Sequence, residues 1–323
     1  MIEAIRGGDR RALARALTLV QQGGTQAEDL LVAALAHWSG ASSALRVIGV
    51  TGPPGAGKSS LCDRFIDSWR AQGKRVAVLA VDPSSPFGGG ALLGDRVRMA
   101  RHTLDEAVFM RSVGARGALG GLAHSVHASL RLLAVAAFDV VLLETVGAGQ
   151  SEVDVMFAAD TVVLALMPGA GDQIQVGKAG ILEIADIFLV NKSDLPGADV
   201  LAGQLLHMLA ARDATVEWEA PVIACSAQTA AGIDKVVEAI AAHGAWLSAT
   251  GQLASRRTRQ AEHETRLQLQ SILEERLIRR FARTEMWRTL TRQVADGRAT
   301  ARQAALQAAD ALFPAVDDPP GGL

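Results

Sequence analysis

This sequence predicts an α/β domain built on a largely parallel central sheet flanked by helices, and three observations predict it. Seven short apolar, β-branched runs recur between residues 46 and 247, separated by longer helix-forming stretches. Most of the runs are apolar throughout, the pattern of strands covered on both faces. The residues with unusual chemistry follow the runs, and ligand sites of parallel sheets lie beyond the C-terminal strand ends.

The seven runs are Val47–Thr51, Val76–Val81, Val108–Arg111, Val140–Leu143, Thr161–Met167, Ile187–Val190 and Val222–Cys225. Residues 1–45 form an N-terminal helical segment: Leu13, Leu17 and Val20 recur at helical spacing, and a second apolar cluster covers Leu30 to Ala36. Residues 248–323 form a C-terminal helical arm. There Arg256 to Arg283 is charged and helix-forming, with an apolar stripe at Leu269, Leu273, Leu277 and Phe281. The stripe needs a cover, either this chain's own domain or a second subunit.

Composition removes several classes of function. Lys and Arg number 32 against 34 Asp and Glu, a net charge of -2. That balance gives no general attraction to nucleic acid or to an anionic membrane. The most apolar stretch, Leu130 to Leu143, is interrupted by Arg131 and Asp139 and is too short to span a bilayer. The start, Met1-Ile2-Glu3-Ala4-Ile5-Arg6, has no apolar signal region. Arg6, Arg10, Arg11 and Arg15 could mimic a transit peptide, but Glu3 and Asp9 argue against it. With only two cysteines, Cys62 and Cys225, a reducing, cytoplasmic setting is expected.

Gly52-Pro53-Pro54-Gly55-Ala56-Gly57-Lys58-Ser59 fits G-x-x-x-x-G-K-[ST] at every position. An apolar strand precedes it, and Ser60 to Trp69 continues as a helix. Glycines let backbone N–H groups wrap phosphates, and the helix N-terminus adds its dipole. Lys58 would neutralise β/γ-phosphate charge, and Ser59 would ligate Mg²⁺.

Asn191-Lys192-Ser193-Asp194 follows the run Ile187–Val190. A carboxylate at Asp194 can accept from both N1–H and the 2-amino group of guanine. Adenine offers neither donor there, so the motif selects GTP and GDP. Asn191 and Lys192 would support the loop and the base. Ser226-Ala227-Gln228, after the last run, fits a supporting backbone loop.

Asp82 and Glu144 close strands that face the phosphate loop, where a carboxylate binds Mg²⁺ directly or through water. Gly147 could offer its N–H to the γ-phosphate and move when that phosphate leaves. Pro83 to Asp95 and Pro168 to Asp172 are glycine-rich stretches beyond strand ends. Ras-like enzymes keep a water-orienting Gln just after the switch glycine; here that residue is Ala148. Slow intrinsic hydrolysis that depends on a completing contact is therefore expected.

These segments together resemble the MeaB-type P-loop GTPases, chaperones of cobalamin-dependent acyl-CoA mutases. The likeness rests on Gly8 to Arg15, Val81 to Phe87, Leu93 to Met99, Arg116 to Leu122, Glu144 to Glu152 and Lys178 to Asp186. It implies a GTPase that binds the mutase, gates adenosylcobalamin delivery and helps remove damaged cofactor. By motif it places Asp82, Asp95 and Glu144 near the metal. Asp172 and Lys178 fall in a third switch that becomes competent for catalysis against the mutase. It also implies a homodimer joined through the C-terminal helices. Two departures stand out. Gly88 replaces a common Thr, and the middle of the third switch reads Gln173-Ile174-Gln175-Val176-Gly177 where Glu-Leu-Gln-Gly-Ile is usual.

Three rival readings are a small-molecule kinase, a metallochaperone-type GTPase and a GTP-binding adaptor that does not turn over. The first needs an acceptor pocket with a base. The second wants clustered His or Cys, for which His124 and His127 are the nearest pair.

Overall fold

The computed structural model describes residues 1–37, 45–82, 100–102, 104–114, 121–145, 156–169, 179–210 and 217–312. Seven strands form one sheet in the order β3-β2-β4-β1-β5-β6-β7, and every pairing is parallel. They are β1 (Arg46–Thr51), β2 (Val76–Asp82), β3 (Val108–Gly114), β4 (Val140–Thr145), β5 (Thr161–Leu166), β6 (Ile187–Val190) and β7 (Val222–Ala224). All seven apolar runs of the sequence are strands.

The helices are α1 (Ile2–Arg6), α2 (Arg10–Gln22), α3 (Thr25–Leu35), α4 (Lys58–Ala71), α5 (Gly121–Val135), α6 (Ala179–Ile184), α7 (Ala198–Ala210), α8 (Ile233–Ala249), α9 (Gln252–Phe281), α10 (Glu285–Ala295) and α11 (Ala301–Leu312).

Two-sided burial explains the unbroken apolar runs. On β4, Val141 and Leu143 enter one core with residues of α1, α2, α3 and α5. Val140 and Leu142 enter the opposite core with residues of α4 and α8. All six β4 residues are buried. Successive side chains of a strand point to opposite faces, so each face needs its own apolar set.

The N-terminal helices are part of this core; Ile5, Leu13 and Leu17 are buried within it. Asp9 caps α2 by accepting from the Arg11 and Ala12 amides. Polar side chains of α2 also cover the open edge of β3. Arg10 donates to the Asp105 and Val108 carbonyls at 3.0 and 2.8 Å, and Gln21 to the Ser112 carbonyl at 3.3 Å. Such cover keeps an edge strand from pairing with another chain.

The chain divides into two compact units, Met1–Leu267 and Gln268–Leu323. The sequence placed this boundary at 247/248; in the structure it falls inside α9. The reason lies in side chains that hold the first part of α9 to the base of the sheet. Arg256 binds both oxygens of Asp186 at 2.7 Å, and Arg257 binds both oxygens of Asp160 at 3.2 Å. Those carboxylates also accept from Val162 N and Val47 N, extending the ladder at the N-terminal ends of β5 and β1.

In the second unit, Phe281, Leu290, Ala304 and Ala308 form a small core. Thr284 caps α10 by accepting from Trp287 N. Of the predicted stripe, Phe281 is buried in this core, while Leu269 and Leu273 are exposed.

Candidate nucleotide site

The site lies beyond the C-terminal ends of β1, β4, β5, β6 and β7. β1 is central, with β4 on one side and β5 on the other, and the chain leaves β1 for β2 but leaves β5 for β6, toward opposite halves of the sheet. That switch point is where parallel sheets open a crevice.

The segment from Gly52 to Lys58 leaves β1 and turns into α4. Gly52 has φ +147°, and a Cβ there would lie 2.0 Å from the Ala165 carbonyl oxygen, so only glycine fits against β5. Gly57, with φ +87°, stands at the N-cap of α4. Lys58 is buried and donates from Nζ to the Gly52 carbonyl at 2.7 Å and the Pro53 carbonyl at 3.3 Å. Its ammonium thus lies against the loop that a phosphate would occupy. The loop meets the start of a 14-residue helix, where amide groups and the helix dipole favour an anion.

Ser59 Oγ donates to Glu144 Oε1. Glu144 is buried on β4, and its neighbour across the ladder is Val50, at the end of β1. A serine hydroxyl and a buried carboxylate are two hard oxygen donors, a set that suits Mg²⁺. Asp82 ends β2, two strands from β1.

The second half of the site is a joint built by Asn191. Its Nδ2 donates to the Ala56 carbonyl at 2.7 Å, and its Oδ1 accepts from the Ala227 amide at 3.0 Å. One buried amide therefore ties the phosphate loop to the loop after β7. Ser193 N donates to the Cys225 carbonyl at 3.0 Å, which fastens the two loops a second time. Ser226 is buried, and its Oγ accepts from Thr229 N. Gln228 and Asp194 are exposed, so their side chains are open to a ligand. Lys192 takes a left-handed backbone, φ +58°, which is strained for a residue with a Cβ.

The structure therefore brings together residues 52–60, Glu144, Asn191, Lys192, Asp194 and residues 226–228. Asp95, Gly147, Asp172 and Lys178 lie outside the described residues, and Asp82 is described by its backbone alone.

Two contributors had not been singled out from the sequence. Arg64 on α4 donates to the Ala227 and Gln228 carbonyls at 2.8 and 3.1 Å, bracing the loop after β7 from below. Met167, just past β5, receives Lys192 Nζ at 3.3 Å from its sulfur. Arg64 stands five residues after Ser59 on the same helix, a spacing that does not share a helix face with it, so the sequence carried no signal for it.

Cys62 and Cys225 are free and buried. Burial, with the Glu144 charge adding to it, pushes the Cys62 thiol well up. Burial alone pushes Cys225 up to about 12. Neither is a thiolate at neutral pH, so neither is poised as a nucleophile or metal ligand.

The family described as Methylmalonyl Co-A mutase-associated GTPase MeaB matches residues 13–284. The chain belongs to this family. The MeaB match covers the phosphate loop, the Asn191 joint and all of α9. Among relatives, GTPase ArgK of Escherichia coli is 38% identical, across 80% of each chain. The mouse protein named Methylmalonic aciduria type A homolog, mitochondrial, is 34% identical, across 85% of this chain and 68% of its own. Among solved structures, a crystal structure of LAO/AO transport system kinase superposes with a TM-score of 0.74 at 28% identity, covering 96% of both chains. The protein is a MeaB-family GTPase with the fold of its structural relatives.

His124 and His127 lie on α5, where His127 Nδ1 is 3.6 Å from Glu264 Oε2 of α9. Among the described residues, no group of three or more His, Cys, Asp or Glu is arranged to hold a metal ion. Among the described residues, no helix is long and apolar enough to cross a membrane.

Proposed function

We propose that this MeaB-family protein is a guanine-specific, Mg²⁺-dependent GTP hydrolase that serves as chaperone to a cobalamin-dependent acyl-CoA mutase. It gates delivery of adenosylcobalamin to that enzyme and protects or reactivates it. The observation that carries the nucleotide half is the Asn191 joint, which sets the phosphate loop and the exposed Asp194 side by side. The mutase half rests on the family description and on the name of the mouse relative.

In this reading Gly52 to Ser60 wrap the phosphates, with Lys58 moving from the loop carbonyls onto the β/γ-phosphates. Asp194 accepts from N1–H and the 2-amino group of guanine. Asn191, Lys192, Ser226, Ala227 and Gln228 frame the base. Ser59 and Glu144, with Asp82 and Asp95, would hold Mg²⁺, which when bound neutralises charge on the phosphate oxygens. Gly147 offers its N–H to the γ-phosphate. Asp172 and Lys178 complete the site when the mutase docks. An ammonium pinned in a water-poor site stabilises charge on the transferred phosphoryl group far better than one in a solvated loop. The protein works as a homodimer through its C-terminal helices, in the cytoplasm.

The experiment is GTP turnover measured alone and against rising methylmalonyl-CoA mutase, for the natural chain and Lys178→Ala. Slow basal turnover is expected to rise with the mutase, and Lys178→Ala is expected to keep GTP affinity and lose most of the rise. A mutase that neither binds nor changes turnover ends the chaperone reading. Stimulation that survives Lys178→Ala removes Lys178 from the catalytic group. Counting inorganic phosphate against phosphate carried to any small acceptor separates hydrolysis from a kinase.

A further inference from the structure

Met167 ends the chain's path out of β5, immediately after Leu166. Its sulfur lies 3.3 Å from Lys192 Nζ. The same side chain faces Gly55 of the phosphate loop: a Cβ there would stand 3.5 Å from Met167 Cε and 4.0 Å from its sulfur. One flexible, polarisable side chain therefore lies between the phosphate loop and the segment that frames the base. Lys192 has the strained left-handed backbone already noted. Strain of that kind persists only where surroundings hold the residue in place.

We propose that Met167 is a positioning residue for the base, acting through Lys192. Its thioether accepts from the Lys192 ammonium and holds the lysine stem across the mouth of the site, where the stem's methylenes form one wall for the purine. Long cationic side chains commonly lay their apolar stems along a surface while the charged end finds a partner. Without the sulfur, the ammonium would swing to water and the wall would lose its fixed position. The phosphates would not sense the change, because Lys58 and the loop amides bind them independently of Lys192. The inference rests on the guanine-nucleotide reading of the site.

The test separates base from phosphate. GDP, ADP and inorganic tripolyphosphate are titrated into the natural chain, Met167→Leu and Met167→Gln, with thermal melting of each. Leucine keeps the apolar bulk and removes the acceptor; glutamine matches methionine in length and restores an acceptor oxygen. Met167→Leu is expected to bind GDP about threefold to tenfold more weakly, the worth of one ordinary hydrogen bond, because a thioether is a weak acceptor. Tripolyphosphate affinity is expected to stay unchanged, and Met167→Gln to recover GDP binding. Equal losses for GDP and tripolyphosphate would mean Met167 acts on the phosphate loop through Gly55, which overturns the proposal. No loss for either overturns it as well. Should the leucine variant melt early, Met167→Ile carries the same comparison. A natural chain that fails to prefer GDP over ADP defeats the guanine reading itself, a result distinct from an unaffected Met167→Leu.

Discussion

Asn191 donates to the Ala56 carbonyl at 2.7 Å, so the residue that opens the base-framing segment is bonded to the middle of the phosphate loop. The same side chain accepts from Ala227 N at 3.0 Å. Both contacts are buried, and Asn191 itself is 1% exposed. Asn191→Ala would leave a buried carbonyl and a buried amide without these bonds. A buried polar group stranded in this way costs about 1–3 kcal/mol. The variant is expected to lose on the order of 3 kcal/mol in urea unfolding and to bind GDP far more weakly. A loss below about 0.5 kcal/mol, within the range of ordinary surface changes, would show that the joint is not what holds the two loops together.

The sheet was legible because burial on both faces leaves a direct trace. Runs such as Val140–Leu143 cannot alternate when each face meets its own core. The phosphate loop and the guanine motif were legible because their chemistry demands fixed residue types at fixed spacing. The Asn191 joint was only half legible. The motif names the asparagine, but its partners Ala56 and Ala227 are 135 and 36 residues away in sequence, and only the fold brings them close. Met167 left no trace, because a methionine at the end of an apolar run reads as core. The boundary inside α9 was hidden for the opposite reason. Arg256 and Arg257 stand in a stretch that the sequence shows only as charged and helix-forming, yet both turn to carboxylates at the base of the sheet. Charge marks exposure only when no partner waits inside.

Gly57 and Gly73 make a paired test of the phosphate loop. Both have left-handed backbones, φ +87° and +76°. A Cβ at Gly57 would stand 2.4 Å from Asn191 Nδ2, whereas one at Gly73 would meet nothing within 4 Å. Each Ala substitution carries backbone strain of about 1 kcal/mol. Only Gly57→Ala also pushes Asn191 off Ala56. We expect Gly73→Ala to melt earlier but bind GDP normally, and Gly57→Ala to lose at least about tenfold in GDP affinity. Equal nucleotide affinity for the two variants would contradict the steric account.

In the proposed function Asp194 sets nucleotide choice. Its carboxylate is exposed and has no hydrogen-bond or ion-pair partner among the described residues, so it is open to two donors of a guanine edge. GTP and GDP are expected to bind far better than ATP. Asp194→Asn supplies one acceptor where two donors need a carboxylate, and should cut the GDP preference by about tenfold to a hundredfold. Calorimetry of the natural chain showing equal affinity for ATP and GTP would defeat the assignment.

The base of the sheet should make stability depend on pH through His243. This ring is 0% exposed and packs against Trp218 and Trp246, at centroid distances of 4.7 and 5.7 Å. Nδ1 lies 2.9 Å from Thr161 Oγ1, and Nε2 lies 3.5 Å from Asp186 Oδ1. Burial holds its pKa down to about 4; Asp186 and Asp160 oppose that shift, and Arg256 adds to it. Unfolded, the imidazole titrates near the ordinary value of about 6.5. Between about pH 6.5 and 4 the unfolded chain therefore binds a proton that the folded chain refuses, so stability rises with pH across that window. The contribution is whole above about pH 6.5 and is lost as pH falls toward 4, on the order of 3 kcal/mol in all. His243→Phe keeps an aromatic ring against the two tryptophans and cannot titrate. It forgoes the Thr161 contact, so at pH 7 it should be less stable than the natural chain by about 1 kcal/mol. The gap should close and then reverse as pH falls to 5, because only the natural chain must keep a buried ring unprotonated. Other groups titrate alike in both proteins and cancel in the difference. Urea unfolding at half-unit steps from pH 7.5 to 5 reads this directly. Two parallel stability curves would mean that His243 takes up its proton as readily folded as unfolded, with the nearby carboxylates of Asp186 and Asp160 offsetting its burial.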